Sequence, residues 1–461
     1  MYRWLVPRII WPLSERLAGR RMWTEACHLR ELQWRPAAEL ELRALERLRG
    51  LLVHATMHVP YYRDLCKRAA IEPADMRTPS DLSHLPVTTK AELRADFPTR
   101  TTADNLPASR RQAMVTSGST GLPFQFYWDR SCADALLGAY LFSLEWAGAA
   151  IWDRRITIAN PAYFYTNMPP SSPLRQLARR ALLGEQSVNL PANELTTARF
   201  RALVTRLSQR RRYFIRGYPS AIAHLAAQLC DEGAPFRSYP TVVISYAESL
   251  TPANAASISR AFRCKVVNYY SSWEVPQIAQ TCPDNPELLH VNSERVLLRV
   301  VRPDGTTASP GELGRVVVTD LGNYVMPLIN YFVGDHAVAG PLCSCGRGSP
   351  TLASLEGRST EVIQTPQGRQ INGVVLGRFL ISMVGIIPYI WEYQAVQSTL
   401  DKVTLHVMPT TRFTPEFAKR LRDELETFLG PGVGVAIEPV DRIPLESSGK
   451  RLIIKSLLAQ G

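Results

Sequence analysis

The stretch "VTSGSTGLPFQF", Val115 to Phe126, carries an unbroken run of Thr, Ser and Gly from Thr116 to Gly121, between a small apolar lead-in and an apolar, strand-like segment. Small hydroxyl side chains and the two glycines, Gly118 and Gly121, let the backbone turn tightly, so that N–H and O–H groups converge on an anion, usually a phosphate. The commonest nucleotide loop ends in Gly-Lys-Ser/Thr and opens a helix. Here Gly121 leads instead into Leu122, Pro123 and Phe124. No lysine of the loop neutralises a phosphate, so a metal ion or a cation from elsewhere in the chain has to share the charge.

At 461 residues the chain exceeds what one hydrophobic core usually organises, and two or more domains are expected. An apolar fraction of 46% against 20% charged residues excludes a disordered chain. The formal net charge of +12 raises the question of nucleic acid. The answer is no: the lysines are only Lys67, Lys90, Lys265, Lys402, Lys419, Lys450 and Lys455, and the arginines are scattered rather than gathered into a stripe. The tightest cluster, Arg210 to Arg212, reads as a solvated helix end. Eight cysteines in this length lack the density of a disulfide scaffold and fit a reducing cytoplasm. The start, "MYRWLVPRIIWPLSERLAGRRMW", is broken by Pro7, Arg8 and Pro12 well short of a membrane span and lacks the pattern of a signal peptide. It reads as an amphipathic segment packed on its own domain, the alternative being a weak peripheral anchor for acidic lipid.

Periodicity gives an α/β chain. Pro36 to Arg68 has apolar residues at helical spacing and reads as helix up to Val59-Pro60, and Cys132–Gly148, Phe200–Arg212, Ala221–Glu232 and "PANAASISRAF" are also helical. "RRITIANPAYFY" reads as a strand entering an aromatic loop, "YFIRGYPS" as a strand and turn, and "TVVISYAESL", "CKVVNYYSS", "RVLLRVV" and "GRVVVTDL" as strands. Alternation of the two implies parallel-type sheets covered by helices. Past Arg358 the elements shorten: a hairpin in "TEVIQTPQGRQI", a helix near Val374–Met383, strands near Tyr389 and Val403, and a helix over Pro415–Leu429. That pattern is a small α+β domain of about a hundred residues.

In this order the segments resemble the adenylate-forming ligases, in the branch of phenylacetate–coenzyme A ligase and the capsular-polysaccharide CapK-like proteins. The motifs that carry the resemblance are "TSGSTGLP" (Thr116–Pro123), "YYSSWE" (Tyr269–Glu274), "YFVGD" (Tyr331–Asp335), "LEGRST" (Leu355–Thr360) and "IPLESSGKR" (Ile443–Arg451), and the likeness runs from "HATMHVPYYRDL" onward. It implies a large AMP-binding domain over residues 1–357 and a small mobile domain over 358–461 that brings the catalytic lysine. It also implies the chemistry. A carboxylate attacks the α-phosphate of ATP, and the acyl-adenylate passes to a thiol, coenzyme A or a carrier protein.

By the same resemblance, Thr116, Ser117, Gly118, Ser119, Thr120 and Gly121 hold the phosphates. Tyr269, Tyr270, Ser271 and Ser272 lie against the adenine, and Ala247 and Glu248 line the adenine and acyl pocket. Asp335 takes the ribose hydroxyls, Arg358 reaches ribose or phosphate from the hinge, Glu274 holds Mg²⁺, and Lys450 bridges the two reacting anions. Each residue alone has a plainer reading. Lys450 suits a solvated turn, Glu274 a helix cap or surface carboxylate, Asp335 a turn closure, Arg358 an exposed linker and Glu248 a strand-to-loop carboxylate. Ser271, Trp273 and Thr360 depart from the family's usual glycine, threonine and aspartate, which leaves the acceptor open between coenzyme A and another nucleophile. An adenylyltransferase without a coenzyme A step, or a retired nucleotide-binding partner protein, is the alternative.

Two further groups stand out. Cys282, His290, Cys343 and Cys345 offer three thiolates and an imidazole, a donor set for zinc, although the single-residue gap of Cys-Ser-Cys is tighter than standard zinc spacing and free buried cysteines are common. "NPAYFYTN" (Asn160–Asn167) and "RGYPS" (Arg216–Ser220) supply aromatic and basic side chains suited to a planar acid, or to ordinary core.

Overall fold

A computed structural model describes residues 9–115, 124–159, 187–192, 195–207, 212–232, 238–358, 362–380, 384–386, 389–444 and 452–458. Thr116–Gly121, Asn160–Asn167, Thr360 and Lys450 therefore lie outside the described residues.

The helices that frame the large sheet are α1 (Trp11–Ala18), α2 (Met22–Leu32), α3 (Ala37–His58), α4 (Pro60–Ala69), α5 (Lys90–Asp96), α6 (Arg130–Trp146), α7 (Thr197–Leu207), α8 (Pro219–Asp231) and α9 (Pro252–Phe262). The helix expected up to Val59-Pro60 ends there, and a second begins: Val59 is extended, as a residue before proline prefers, and Pro60 starts α4 at a position where its missing N–H costs nothing. Along α3, Leu40, Ala44, Leu48, Leu51, Leu52 and Ala55 are buried at helical spacing, which fixes the face it turns to the core. The described part of the N-terminal segment, from residue 9, packs on its own fold. α2 lies against α6, Trp11 stacks on Trp23 at 5.1 Å, and Arg20 pairs with Asp134.

A two-stranded ribbon, β1 (Gln112–Val115) and β2 (Gln125–Trp128), flanks the Ser/Thr/Gly stretch. The main sheet contains β3 (Arg154–Ala159), β4 (Ser187–Pro191), β5 (Tyr213–Gly217), β6 (Val242–Tyr246), β7 (Lys265–Tyr270), β8 (Ala279–Thr281), β9 (Leu289–Val291), β10 (Val296–Val301), β11 (Leu313–Asp320), β12 (Tyr331–Ala339) and β13 (Thr351–Arg358). Its order is β10-β11-β12-β13-β9-β8-β7-β6-β5-β3-β4. The strands β4, β3, β5, β6 and β7 run parallel, as the strand–helix alternation implies. From β7 to β10 every pairing is antiparallel, so the sheet as a whole is mixed. All five residues of β6, Val-Val-Ile-Ser-Tyr, are buried, the pattern of a central parallel strand covered on both faces.

Beyond β13 lie the hairpin β14 (Val362–Gln364) and β15 (Gln370–Asn372), helix α10 (Gly373–Phe379), strands β16 (Ile390–Thr399) and β17 (Lys402–Pro409), helix α11 (Pro415–Leu429), β18 (Gly434–Pro439) and β19 (Ile454–Ser456). Four of these strands form a separate sheet ordered β18-β17-β16-β19. On α11, Phe417, Leu421, Leu425 and Leu429 are buried every fourth residue. At about 1.5–3 kcal/mol per buried side chain, that face outweighs any intrinsic helix preference, so packing holds the helix in place.

One local arrangement positions the site. The Tyr62 hydroxyl donates to Pro327 O at 2.9 Å and accepts the Ile329 N–H at 3.0 Å, pinning the segment that enters β12. Thr88 then lies alongside β12: its N–H donates to Asn330 O and its carbonyl accepts the Phe332 N–H, both at 2.9 Å. The next residue, Thr89, closes a capping box with Glu92 and starts α5, so that Lys90 is the first helical residue beside Tyr331.

Candidate active site

Five parallel strands deliver their carboxyl ends to one edge of the sheet, where open α/β sheets bind ligands. Glu274 lies just past the end of β7, in a turn closed by the Ser272 hydroxyl accepting the Val275 N–H at 2.9 Å. It is 2% exposed, so it is neither a surface carboxylate nor a spare polar residue. Tyr331 donates its hydroxyl to Glu274 Oε1 at 2.8 Å, and the Lys90 ammonium sits 2.8 Å from the same oxygen. Burial pushes the Glu274 carboxyl up, but the Lys90 charge, with the hydrogen bonds from Lys90 and Tyr331, outweighs it and holds the group below its ordinary value.

Lys90 was not singled out in the sequence, yet it is a cation from elsewhere in the chain, some 26 residues before the Ser/Thr/Gly loop. Its Nζ also lies 5.6 Å from the ring centre of Phe124, the first described residue after the Ser/Thr/Gly loop. A signal was present. Lys90 occupies the first turn of a helix, where the dipole disfavours a cation, in a chain with few lysines, and that placement calls for an anionic partner.

On β7, successive side chains point to opposite faces. Tyr270 donates its hydroxyl to Asp335 Oδ2 at 2.8 Å, bringing two of the predicted nucleotide residues together. Gly334 precedes Asp335 at φ +100°, a conformation glycine adopts without penalty. Arg358, last residue of β13, pairs in register with Asp335. Ser271 and Ser272 stay within the turn, Ser271 Oγ donating to Ser272 O at 3.2 Å. Ala247 holds φ +69°, unusual for a residue with a side chain and the kind of strain that collects at functional sites. Glu248 accepts the Ser220 N–H at 3.2 Å. Tyr269 faces away from Tyr270, toward Arg216, and burial pushes its hydroxyl up to about 12.

Comparison with known proteins matches this architecture. Residues 363–456 match the family model described as the CapK C-terminal domain. The chain is 25% identical to the phenylacetate–coenzyme A ligase of Thermus thermophilus over 405 residues, covering 86% of this chain and 87% of that one. It is 20% identical to protein CapK of Staphylococcus aureus over 406 residues, 85% of this chain and 83% of that one. A crystal structure of 2-hydroxyisobutyryl-CoA ligase, in the postadenylation state with an acyl-AMP, superposes with a TM-score of 0.75 at 21% identity, covering 92% and 91% of the two chains. The fold is that of the adenylate-forming ligases.

Within this adenylate-forming fold a second cluster lies away from Glu274. The ligand atoms of Cys282, His290, Cys343 and Cys345 all fall within 4.8 Å of one another. Cys282 Sγ and Cys343 Sγ are 3.9 Å apart, and Cys345 Sγ is 3.3 Å from His290 Nε2. A tetrahedral zinc with Zn–S of about 2.3 Å has S···S edges of about 3.8 Å, so the spacing fits. The other ring nitrogen of His290, Nδ1, lies 2.9 Å from Ser349 Oγ, and Trp146 packs edge-on to the imidazole at 5.6 Å. That leaves Nε2 turned to the thiols.

The Lys90–Glu274 pair makes a prediction with a sign. In Lys90→Met, burial acts on Glu274 without the compensating ammonium, so its carboxyl rises above the unfolded value instead of lying below it. The wild type gains stability as pH rises from the folded value of Glu274 toward the unfolded one; the variant loses stability above the unfolded value, about 4.3. Urea melts should therefore show the two proteins nearly equal at acid pH. At pH 7 the variant should be weaker by about 1–3 kcal/mol, below the usual cost of breaking a fully buried pair because Lys90 is partly wet. A deficit that does not grow with pH contradicts the assignment.

Proposed function

We propose that this protein is an ATP-dependent acid–thiol ligase that activates a small-molecule carboxylic acid as its acyl-adenylate and passes the acyl group to coenzyme A or a carrier thiol. The observation that carries this reading is the buried Glu274 at the carboxyl edge of the parallel strands, with Lys90 and Tyr331 on its Oε1, and the Tyr270–Asp335 pair formed from the same two strands. Relatives named phenylacetate–coenzyme A ligase, and a solved 2-hydroxyisobutyryl-CoA ligase holding an acyl-AMP and CoA, support both half-reactions.

In the first half-reaction a carboxylate oxygen of the acid attacks the α-phosphorus of ATP and the bond to pyrophosphate breaks. In the second, the thiol sulfur attacks the acyl carbon, AMP leaves, and the thiol proton goes to solvent. Two anions meet in the first step, so the chain must supply positive charge and orientation. Lys90 would face the phosphates beside the loop Thr116–Gly121. Asp335, oriented by Tyr270, would take the ribose hydroxyls, with Ala247, Glu248, Ser271, Ser272 and Arg358 around the nucleotide. Lys450 would bridge acid and α-phosphate from the small domain, residues 358–461, and withdraw when that domain turns away from residues 1–357. The separate four-stranded sheet beyond β13 supports this division.

Glu274 fits Mg²⁺: it is a hard carboxylate held ionised, and this ion is commonly held by one or two carboxylates together with substrate phosphates. When bound, the ion neutralises phosphate charge during displacement. Cys282, His290, Cys343 and Cys345 would hold a structural zinc. All eight cysteines are free, in keeping with a cytoplasmic site of action. No helix among the described residues is long and apolar enough to cross a membrane.

Carboxylate-dependent ATP–pyrophosphate exchange across an acid panel tests the reading. Lys450→Ala should lower exchange about 10²- to 10³-fold, the loss expected for one group that stabilises the transition state, with ATP binding retained. Undiminished exchange contradicts its role, and exchange without any thioester on adding coenzyme A or a carrier thiol limits the activity to adenylyl transfer. Dialysed protein should hold close to one zinc per chain by elemental analysis, and Cys282→Ser and Cys345→Ser should lose it and melt lower. Metal-free wild type with the same melting temperature rules the zinc out.

A further inference from the structure

We infer that the acid activated here carries a second, anionic group at the end of its tail, received by Arg216 at the floor of the acyl pocket. The inference rests on the ligase reading above and sharpens it to a substrate class.

The register of the parallel strands decides which side chains meet. Arg216 of β5 lies opposite Ile244 of β6, and Tyr246 lies opposite Tyr269 of β7. Ile244 and Tyr246 are two residues apart on one strand, so Arg216, Tyr246 and Tyr269 share one face of the sheet. The contacts agree: the Arg216 guanidinium carbon is 4.4 Å from the ring centre of Tyr246, 5.4 Å from Tyr269 and 4.9 Å from Tyr140 of α6. Three tyrosine faces thus surround one half-buried cation.

Ring faces attract a guanidinium but leave its in-plane N–H groups unused. In most buried sites those donors meet a carboxylate or a carbonyl. At Arg216 the Nε is buried and makes no hydrogen bond, and no acidic side chain among the described residues lies within ion-pair distance. A second cation shares this face: Arg155 of β3, opposite Phe214, whose Nη1 donates to Tyr140 Oη at 3.0 Å. A positive, aromatic-walled floor lacking an in-plane acceptor suits an anion carried on a planar or slender tail.

The depth sets the size. Arg216 lies one two-residue step back from the Tyr246–Tyr269 level, which is about 7 Å below the carboxyl edge of the strands. An acid whose reacting carboxylate sits at that edge, near Glu274, would reach Arg216 with a para-substituted ring or a six-carbon chain. Tyr269 and Tyr270 then divide the work of adjacent positions, one facing the acid and the other the nucleotide side.

The experiment compares matched acids in ATP–pyrophosphate exchange: terephthalate against 4-methylbenzoate, and adipate against hexanoate. In the wild type the diacid should be favoured in kcat/KM in at least one pair. Arg216→Met should cut that preference, read as the ratio of diacid to neutral-tailed acid within the same variant, by roughly 10- to 100-fold, the range for losing a charge-assisted hydrogen bond. Arg216→Lys should keep part of the preference, and stands in if the methionine variant does not fold. Neutral-tailed acids favoured in both pairs, or a ratio unchanged in Arg216→Met, overturns the inference and leaves the ligase reading intact. If no acid supports exchange, the ligase reading fails, and calorimetric binding of the same diacids without ATP decides the subsite separately. Binding that Arg216→Met abolishes supports it, and no binding to the wild type overturns it.

Discussion

A carboxylate removed from water stays ionised only if something nearby repays its lost hydration. Glu274 is such a group, and the Lys90 ammonium and Tyr331 hydroxyl on its Oε1 supply the compensation. Much of the surrounding architecture serves to bring these three together. Tyr62 pins the entry to β12, Thr88 lies along that strand, and the Thr89–Glu92 capping box begins a helix so that Lys90 emerges at the right level. The arrangement is electrostatically useful as well as stable. A carboxylate already ionised in a dry setting is ready to hold a hard cation, and an ammonium beside it is ready to face a phosphate, with little reorganisation needed when substrate arrives.

The parallel half of the main sheet turns this pair into a site. Strand alternation sends Tyr270 toward Asp335 and Tyr269 toward Arg216, so adjacent residues of one strand serve opposite faces of the sheet at the edge where the strands end. The small sheet beyond β13 has its own apolar cluster around Leu421 and Leu405.

Much of this was legible in the sequence because local rules and tertiary demands agree there. The buried Val/Ile run of β6, the helix end at Val59-Pro60 and the every-fourth-residue face of α11 each have one physical reading. The motif from Tyr269 to Glu274 identified a carboxylate, but not its burial or its partners. Lys90 escaped notice because its contact depends on Thr88 pairing with Tyr331, a long-range register that periodicity does not encode. The thiol and imidazole groups of the Cys282, His290, Cys343 and Cys345 quartet meet because β9 lies next to β13 and the turn after β12 returns beside them. The mixed character of the sheet was likewise hidden, since a strand's own sequence says little about the direction of its neighbour.

The central claim is that Glu274 is an anion inside the protein, kept so by Lys90 and Tyr331. Its most direct test is a pH titration of the side-chain carboxyl carbon by NMR on protein labelled at glutamate, with the Glu274 signal assigned by its absence in Glu274→Gln. The account predicts a midpoint below that of an ordinary glutamate, about 4.3, so that the signal remains that of a carboxylate throughout the neutral range. A midpoint above that value, with Glu274 protonated as neutral pH is approached from below, would contradict it.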